Sequence, residues 1–335
     1  MTLFSSLVPS PGHRFPGHEE APSRFQYLGD WESKPYQVTL LPPETAPREA
    51  VTAVHSEHML QRFEVACRQG PGITDYAPTY VTPSSFSDAF LAAGATLLCT
   101  RRVLEEGGSS AFALVRPPGH HAEPNASMGF CLLNNLAISA RYALTQGVER
   151  ALVVDFDAHH GNGTQAVFSD ELRAAFFSTH QENLYPFRTG HIEDAPHARG
   201  RILNLPLPPR SGDAAFSLIA DQVLVPLVER FKPGIIFVSA GFDSHWDDPL
   251  ADLGLSSEGY HAFARCLVAL AQEFCAGRIV FVLEGGYNPG AVVAGVDAVF
   301  CAMAGLPFQA DDPSPYPEPD IHDRLAVICK LHKLP

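Results

Sequence analysis

Ala151-Leu-Val-Val-Asp155-Phe-Asp157-Ala-His159-His160-Gly161-Asn162-Gly163 is an apolar run that ends abruptly in two carboxylates and two imidazoles. An extended strand repeats its side-chain direction every second residue, so Asp155, Asp157 and His159 share one direction at its C-terminal end. A single Asp or His at a strand end commonly does no more than bond the backbone of the loop it starts. Three on one face after an apolar run are not explained that way. A buried carboxylate pair without a counter-charge costs several kcal/mol per ion, so the pattern points to a bound cation.

Three more segments share this layout. Ile235–Ala240 runs into Gly241-Phe-Asp243-Ser-His245, and Ile279–Leu283 runs into Glu284-Gly285-Gly286-Tyr287-Asn288. Ala111–Val115 runs into Arg116-Pro117-Pro118-Gly119-His120-His121. Ligands bind outside the carboxyl ends of the strands in open parallel α/β sheets, so these four ends are expected to converge. Asp157, His159 and Asp243 then offer one nitrogen and carboxylate oxygens and leave a position open, the mark of a catalytic zinc site. Oxygen-rich ligation without thiolates also suits Fe(II), Mn(II) or Co(II). The Pro-stiffened His120-His121 pair suits proton transfer beside a water activated at that metal, one imidazole taking a proton and the other giving or holding one. Tyr287, after two glycines that permit close approach, can donate its phenolic hydrogen to a developing oxyanion.

Arg116-Pro-Pro-Gly-His-His121, Asp155-Phe-Asp-Ala-His-His-Gly-Asn-Gly-Thr164, Ala240-Gly-Phe-Asp-Ser244 and Leu283-Glu-Gly-Gly-Tyr-Asn288 together resemble the zinc-dependent histone deacetylase and acetylpolyamine amidohydrolase superfamily, in the family's order. His18-Glu-Glu-Ala-Pro-Ser-Arg24 is similar to its N-terminal motif, and the resemblance extends to about Gly305. It implies Asp157, His159 and Asp243 as zinc ligands, His120 and His121 as the acid/base pair, and Tyr287 as the oxyanion donor. It also implies that Asp155 orients His120 and that Asn162 orients His121. A structural potassium ion is implied at Asp155 and Ser178 with carbonyls of Asp157 and His159. Gly129 and Phe130 match the lining of an acyl-lysine tunnel, Tyr185 is the candidate for the facing aromatic wall, and Gly285 and Gly286 are assigned to the substrate site beside Tyr287.

Within the superfamily, Asn162, the Leu-Glu-Gly-Gly-Tyr string and Asp247-Asp-Pro-Leu250 look like the class II branch. Polyamine-selective eukaryotic relatives place Glu where Leu250 stands, and a carboxylate suits a cationic substrate. The expected activity is therefore metal-dependent deacetylation of acetyl-lysine in proteins or peptides, with acetylpolyamine or other small-amide hydrolysis as the alternative. An arginase-like ureohydrolase and a non-catalytic acyl-amine binding module are the remote alternatives. Pro78 departs from class II relatives at the rim, where a hydrogen-bonding residue can sit.

The formal net charge of −14 argues against direct nucleic-acid binding, which calls for a basic face. Seven scattered cysteines without Cys-x-x-Cys suggest reduced thiols and a cytoplasmic setting. No apolar run is long enough for a membrane span, and the N-terminus lacks a basic region followed by a full apolar core. Homo-oligomerisation is compatible with all of this.

Alternating strand and helix patterns predict parallel βαβ organisation. Helices are expected over Arg48–Arg68, Ser84–Glu106, Leu133–Gln146, Ala214–Phe231, Ser257–Phe274 and Pro289–Met303, with additional short strands at Gln37–Leu41, Ala175–Ser178 and Ile202–Leu205. The resemblance implies a single-domain α/β arginase-deacetylase fold, a central parallel sheet of about eight strands flanked by helices. Residues 1–305 would be the catalytic domain. Residues 306–335 would be a Pro/Asp-rich tail, mobile or extended over Asp311–Asp320, followed by a short helix.

Overall fold

The computed structural model describes residues 2–335. Along the chain lie β1 (Leu3–Val8), β2 (Thr39–Leu40), α1 (Arg48–Thr52), α2 (Glu57–Gln69), β3 (Gly72–Ile73), β4 (Tyr80–Val81), α3 (Ser85–Glu105) and β5 (Ser110–Val115). Next come α4 (Asn135–Thr145), β6 (Ala151–Asp155), α5 (Asn162–Phe168), β7 (Ala174–Gln181), β8 (Ile202–Leu207), α6 (Asp213–Ile219) and α7 (Val225–Phe231). The chain ends with β9 (Ile235–Ala240), α8 (Ser257–Phe274), β10 (Ile279–Leu283), α9 (Pro289–Ala304) and α10 (His322–His332). Eight strands form one parallel sheet in the order β2-β1-β5-β10-β9-β6-β7-β8.

The central strands are apolar on both faces, as a parallel sheet covered on both sides requires. Phe112, Leu152, Ile236 and Phe281 face a layer built from α6 to α10, while Ala113, Val153, Phe237 and Val282 face α1 to α5. This sandwich aligns the carboxyl ends of β5, β6, β9 and β10 at one edge. In register, Asp155 sits opposite Ser239 on one neighbour and Ser178 on the other.

The helix expected over Arg48–Arg68 breaks into α1 and α2. Between them the Ser56 amide donates to Pro124 O (2.9 Å) and the Ser56 hydroxyl accepts Met59 N (3.2 Å), capping α2. Tertiary bonding outweighs helical propensity there. The helix expected over Ala214–Phe231 contains a wide π-helical turn at residues 220–224. Pro226, just inside α7, has no N–H for the carbonyl four residues earlier, which favours such a rearrangement. Of the expected Gln37–Leu41 strand, Thr39–Leu40 is in register with β1, and the Leu41 amide just beyond donates to Ser5 O (2.7 Å). The sequence reading missed β1, whose apolar alternation is interrupted by Ser5 and Ser6. Both are buried and satisfied, Ser5 Oγ donating to Phe112 O (2.8 Å) and Ser6 Oγ to Leu41 O (3.0 Å).

Asp311–Asp320 is irregular but anchored. Trp246 Nε1 donates to Asp312 O (2.8 Å), and the Glu318 carboxylate accepts the amides of Gly212, Ala214 and Ala215 at the start of α6. Leu325 and Ile328 of α10 are buried in the same apolar layer as α8 and α9.

Candidate active site

The four strand ends meet. Asp157, His159 and Asp243 present ligand atoms that all lie within 4.8 Å of one another. His159 Nδ1 is 3.2 Å from Asp157 Oδ1 and 3.0 Å from Asp243 Oδ2. The two carboxylates have no exposure; His159 N (2.9 Å) and Gly285 N (2.8 Å) donate to Asp157, with His120 Nε2 3.7 Å away, and Ala158 N (2.9 Å) donates to Asp243. No lysine or arginine side chain reaches them. Burial, then the Asp157 charge, push the Asp243 carboxyl above its ordinary range. An imidazole and two such oxygens fit a divalent cation.

Backbone form explains the glycines around this centre. A Cβ on Gly285 would lie 2.2 Å from Asp243 Oδ2 and 2.6 Å from Asp157 Oδ2, so no side chain fits. Gly286 has φ +109°, a conformation disfavoured for other residues, and it turns the chain so that Tyr287 borders the same cavity as His121 and His159.

The two adjacent imidazoles have different supports. His120 Nδ1 faces Asp155 Oδ2 at 3.1 Å, whereas His121 Nδ1 faces the amide oxygen of Asn162 at 2.8 Å. Burial alone would lower His120, but Asp157 and Asp155 outweigh it and raise it to about 10. Burial, with the His120 and His159 charges, holds His121 well below its ordinary value. The two imidazoles are thus pushed in opposite directions, His120 up by the Asp157 and Asp155 charges and His121 down by burial.

A cavity of ≈ 280 Å³ leads to these groups. His121, His159 and Tyr287 lie at its inner end, with Gly129, Phe130 and Tyr185 along its walls. A Cβ on Gly129 would approach His121 Cδ2 to 2.5 Å and Tyr185 Cε1 to 2.7 Å, so the narrow slot requires glycine. Leu250 lines the cavity with the exposed Tyr76 and Phe187, which identify the mouth. Gly285 and Gly286 do not line it; they lie beneath Tyr287, against the carboxylates and the Phe242 segment.

Ser178 is placed beside Asp155 by strand register, and its hydroxyl pairs with His180 Nδ1 at 2.9 Å. Asp155, Asp157, His159 and Ser178 are therefore neighbours at the ends of two adjacent strands.

Several functional neighbours escaped the sequence reading. Asp248 accepts the Tyr287 amide (2.7 Å) and the Leu250 amide (2.9 Å), joining the rim to the tyrosine. Arg24, quoted only as part of a motif, donates to Gly286 O and Glu284 O (2.5 Å each) beneath Tyr287, and its guanidinium stands 5.0 Å from that ring. Glu284 accepts the amides of Gly119 and His120. The clue was a charged residue at the end of an otherwise apolar strand.

Residues 18–303 match the histone deacetylase domain model. A probable deacetylase of Archaeoglobus fulgidus is 40% identical over 328 residues, spanning 94% of this chain and 90% of the relative. A chloroplastic histone deacetylase 14 of Arabidopsis thaliana is 41% identical, spanning 87% and 73%. A histone deacetylase-like amidohydrolase of Pseudomonas aeruginosa is 35% identical, spanning 89% and 80%. The crystal structure of the HDA15 HD domain superposes with TM-score 0.87 at 26% identity, covering 99% of this chain and 95% of that one.

Proposed function

Because the chain belongs to the histone deacetylase family of zinc-dependent amide hydrolases, we propose that it removes the acetyl group from acetyl-lysine side chains of proteins or peptides. The observation that carries the substrate class is the chemistry of the cavity lining, which contains no carboxylate. Leu184, Phe187, Leu250 and Tyr76 offer apolar contact to an aliphatic stem and no counter-charge to the distal ammonium of a polyamine. Asp75, next to Tyr76, has its carboxylate taken up by the amides of Ala77 (3.1 Å), Thr79 (2.7 Å) and Gly129 (3.3 Å) and by the Thr79 hydroxyl (2.9 Å).

Asp157, His159 and Asp243 would hold the zinc ion, which when bound supplies Lewis-acid polarisation of the amide carbonyl and of a water molecule. His121, held below its ordinary value by burial and the neighbouring imidazoles and oriented by Asn162, takes a proton from the attacking water. His120, oriented by Asp155 Oδ2 at 3.1 Å, is placed to hold or give a proton at the reacting centre. Tyr287 donates its hydroxyl hydrogen to the oxyanion of the tetrahedral carbon. The proton held on His121 then passes to the departing amine, leaving acetate and the free amine. Asp155, Ser178 and the carbonyls of Asp157 and His159 would hold a structural potassium ion. Seven unbridged thiols fit a reducing, cytoplasmic setting.

The test is kcat/KM of zinc-reconstituted protein on an acetyl-lysine peptide beside N-acetylputrescine and N-acetylspermidine, with His121→Ala as background. Preference for the peptide supports the proposal. Preference for the polyamines overturns the substrate assignment and leaves the hydrolytic chemistry standing.

A further inference from the structure

At the amino ends of β6 and β8, the edge of the sheet opposite the candidate active site, lies an open cleft of ≈ 480 Å³. Arg150, Arg199, Arg201, Arg230 and Lys333 line it, together with Phe231. They come from four separate places: the turn before β6, the loop before β8, the end of α7 and the residue after α10. The chain carries 37 acidic against 23 basic residues, yet none of these five cations is in an ion pair among the described residues. Glu171 and Asp170 act on Arg201 through space but are paired with other side chains, Glu171 with Arg141 and Arg173, and Asp170 with His197.

Two of the cations are held in place by neutral groups. Arg201 donates to the carbonyls of Glu171 (2.8 Å), Ala174 (2.9 Å) and Ser169 (2.9 Å). Arg230 donates to His332 O (2.6 Å) and Gly200 O (2.7 Å). Carbonyl bonds fix a guanidinium without neutralising it, so ordering entropy is already spent before a ligand arrives. The Arg150 guanidinium packs over the Phe231 ring at 5.9 Å, and its buried Nε has no partner. The positive field of the cleft reaches the buried His332, lowered to about 4 by burial first and then by Arg230 and Arg199.

We propose that this cleft binds a small phosphorylated molecule, with two or more phosphoryl charges set among Arg150, Arg199, Arg230 and Lys333. One planar carboxylate is satisfied by a single guanidinium fork, whereas cations arriving from four segments suit tetrahedral, multiply charged groups. A small ligand is favoured over a nucleic-acid strand because a chain of net charge −14 repels a long polyanion beyond the cleft.

The test uses the full chain and isothermal titration with inorganic tripolyphosphate and pyrophosphate at low salt. Citrate and a single-stranded oligonucleotide serve as comparators. Arg199 and Lys333 are exposed, so the double variant Arg199→Ser/Lys333→Ser keeps the fold, checked by unchanged deacetylase activity. The expected result is saturable 1:1 binding of tripolyphosphate, weakened about tenfold or more by the double variant as charge-assisted bonds are lost. Arg62→Ser, on the exposed face of α2, leaves the affinity unchanged. Absence of saturable binding, or equal binding by the double variant, overturns the proposal. Citrate or the oligonucleotide binding as tightly as tripolyphosphate overturns the assignment to a small phosphorylated ligand.

Discussion

The Glu284 carboxylate accepts the backbone amide of His120 at 3.1 Å and that of Gly119 at 2.6 Å. Its other oxygen accepts the Ser239 hydroxyl at 3.2 Å, and the side chain has no exposure. The turn that carries the paired imidazoles is thus fastened to the strand end that carries Tyr287. Substituting Glu284→Ala leaves two buried amides without acceptors and frees the turn. Turnover is expected to fall about 10²-fold from misplacement of the imidazoles, with metal content retained. Glu284→Gln keeps one oxygen for the amides and is expected to recover most of the rate. Wild-type turnover in the alanine variant would show that the fastening is irrelevant to catalysis.

Tyr287 stands at the inner end of the cavity with His121 and His159. Tyr287→Phe keeps the ring, its edge contact with Phe130 at 5.8 Å and the Arg24 stacking, and it removes only the donor. The expected loss is roughly two to three powers of ten in kcat, as for removal of one oxyanion donor. Metal analysis of the same sample should read as in the wild type. Unchanged turnover would remove the hydroxyl from the mechanism.

Gly285 tests whether the two carboxylates hold the metal. A methyl group there meets Asp243 Oδ2 and Asp157 Oδ2 at distances no real Cβ tolerates, so both carboxylates must move. Gly285→Ala is expected to weaken zinc binding by about 10- to 100-fold or more, measured by competition with a chelator. Gly72→Ala, where an added Cβ meets nothing within 4 Å, serves as the matched control. Chelation of the wild type should abolish hydrolysis, and zinc should restore it. If Gly285→Ala binds zinc like the wild type, the ion is held elsewhere.

The sequence made the sheet and the metal-facing cluster legible for one reason: period-2 direction at a strand end is local geometry. Asp155, Asp157 and His159 needed no tertiary information to be placed on one face. Their meeting with Asp243 and Tyr287 needed only the rule that parallel strands end together. What stayed hidden depends on contacts far apart in the chain. Ser5 and Ser6 obscured β1 because the groups that satisfy them, Phe112 O and Leu41 O, are distant in sequence. Asp248 and Glu284 are ordinary acids until the fold sets backbone amides against them. The cationic cleft assembles from residues 150, 199, 201, 230 and 333, and no window of sequence contains it.

His55 sits in the break between α1 and α2 with both ring nitrogens committed. Nδ1 donates to Glu123 O at 3.0 Å and Nε2 accepts the Asn134 amide at 2.9 Å, an arrangement only the neutral ring can make. Burial outweighs the bond to Glu123 and lowers the ring from 6.5 to about 4. Unfolded histidine titrates near 6.5, so between that pH and about 4 the unfolded chain binds the extra proton. This contribution to stability is complete above about pH 6.5 and is lost as the pH falls toward 4, by about 3 kcal/mol at most. Melting temperatures measured from about pH 7 to pH 4.5 should therefore fall more steeply for the wild type than for His55→Gln, which cannot take up the proton. Parallel profiles would show that acid destabilisation enters through another group.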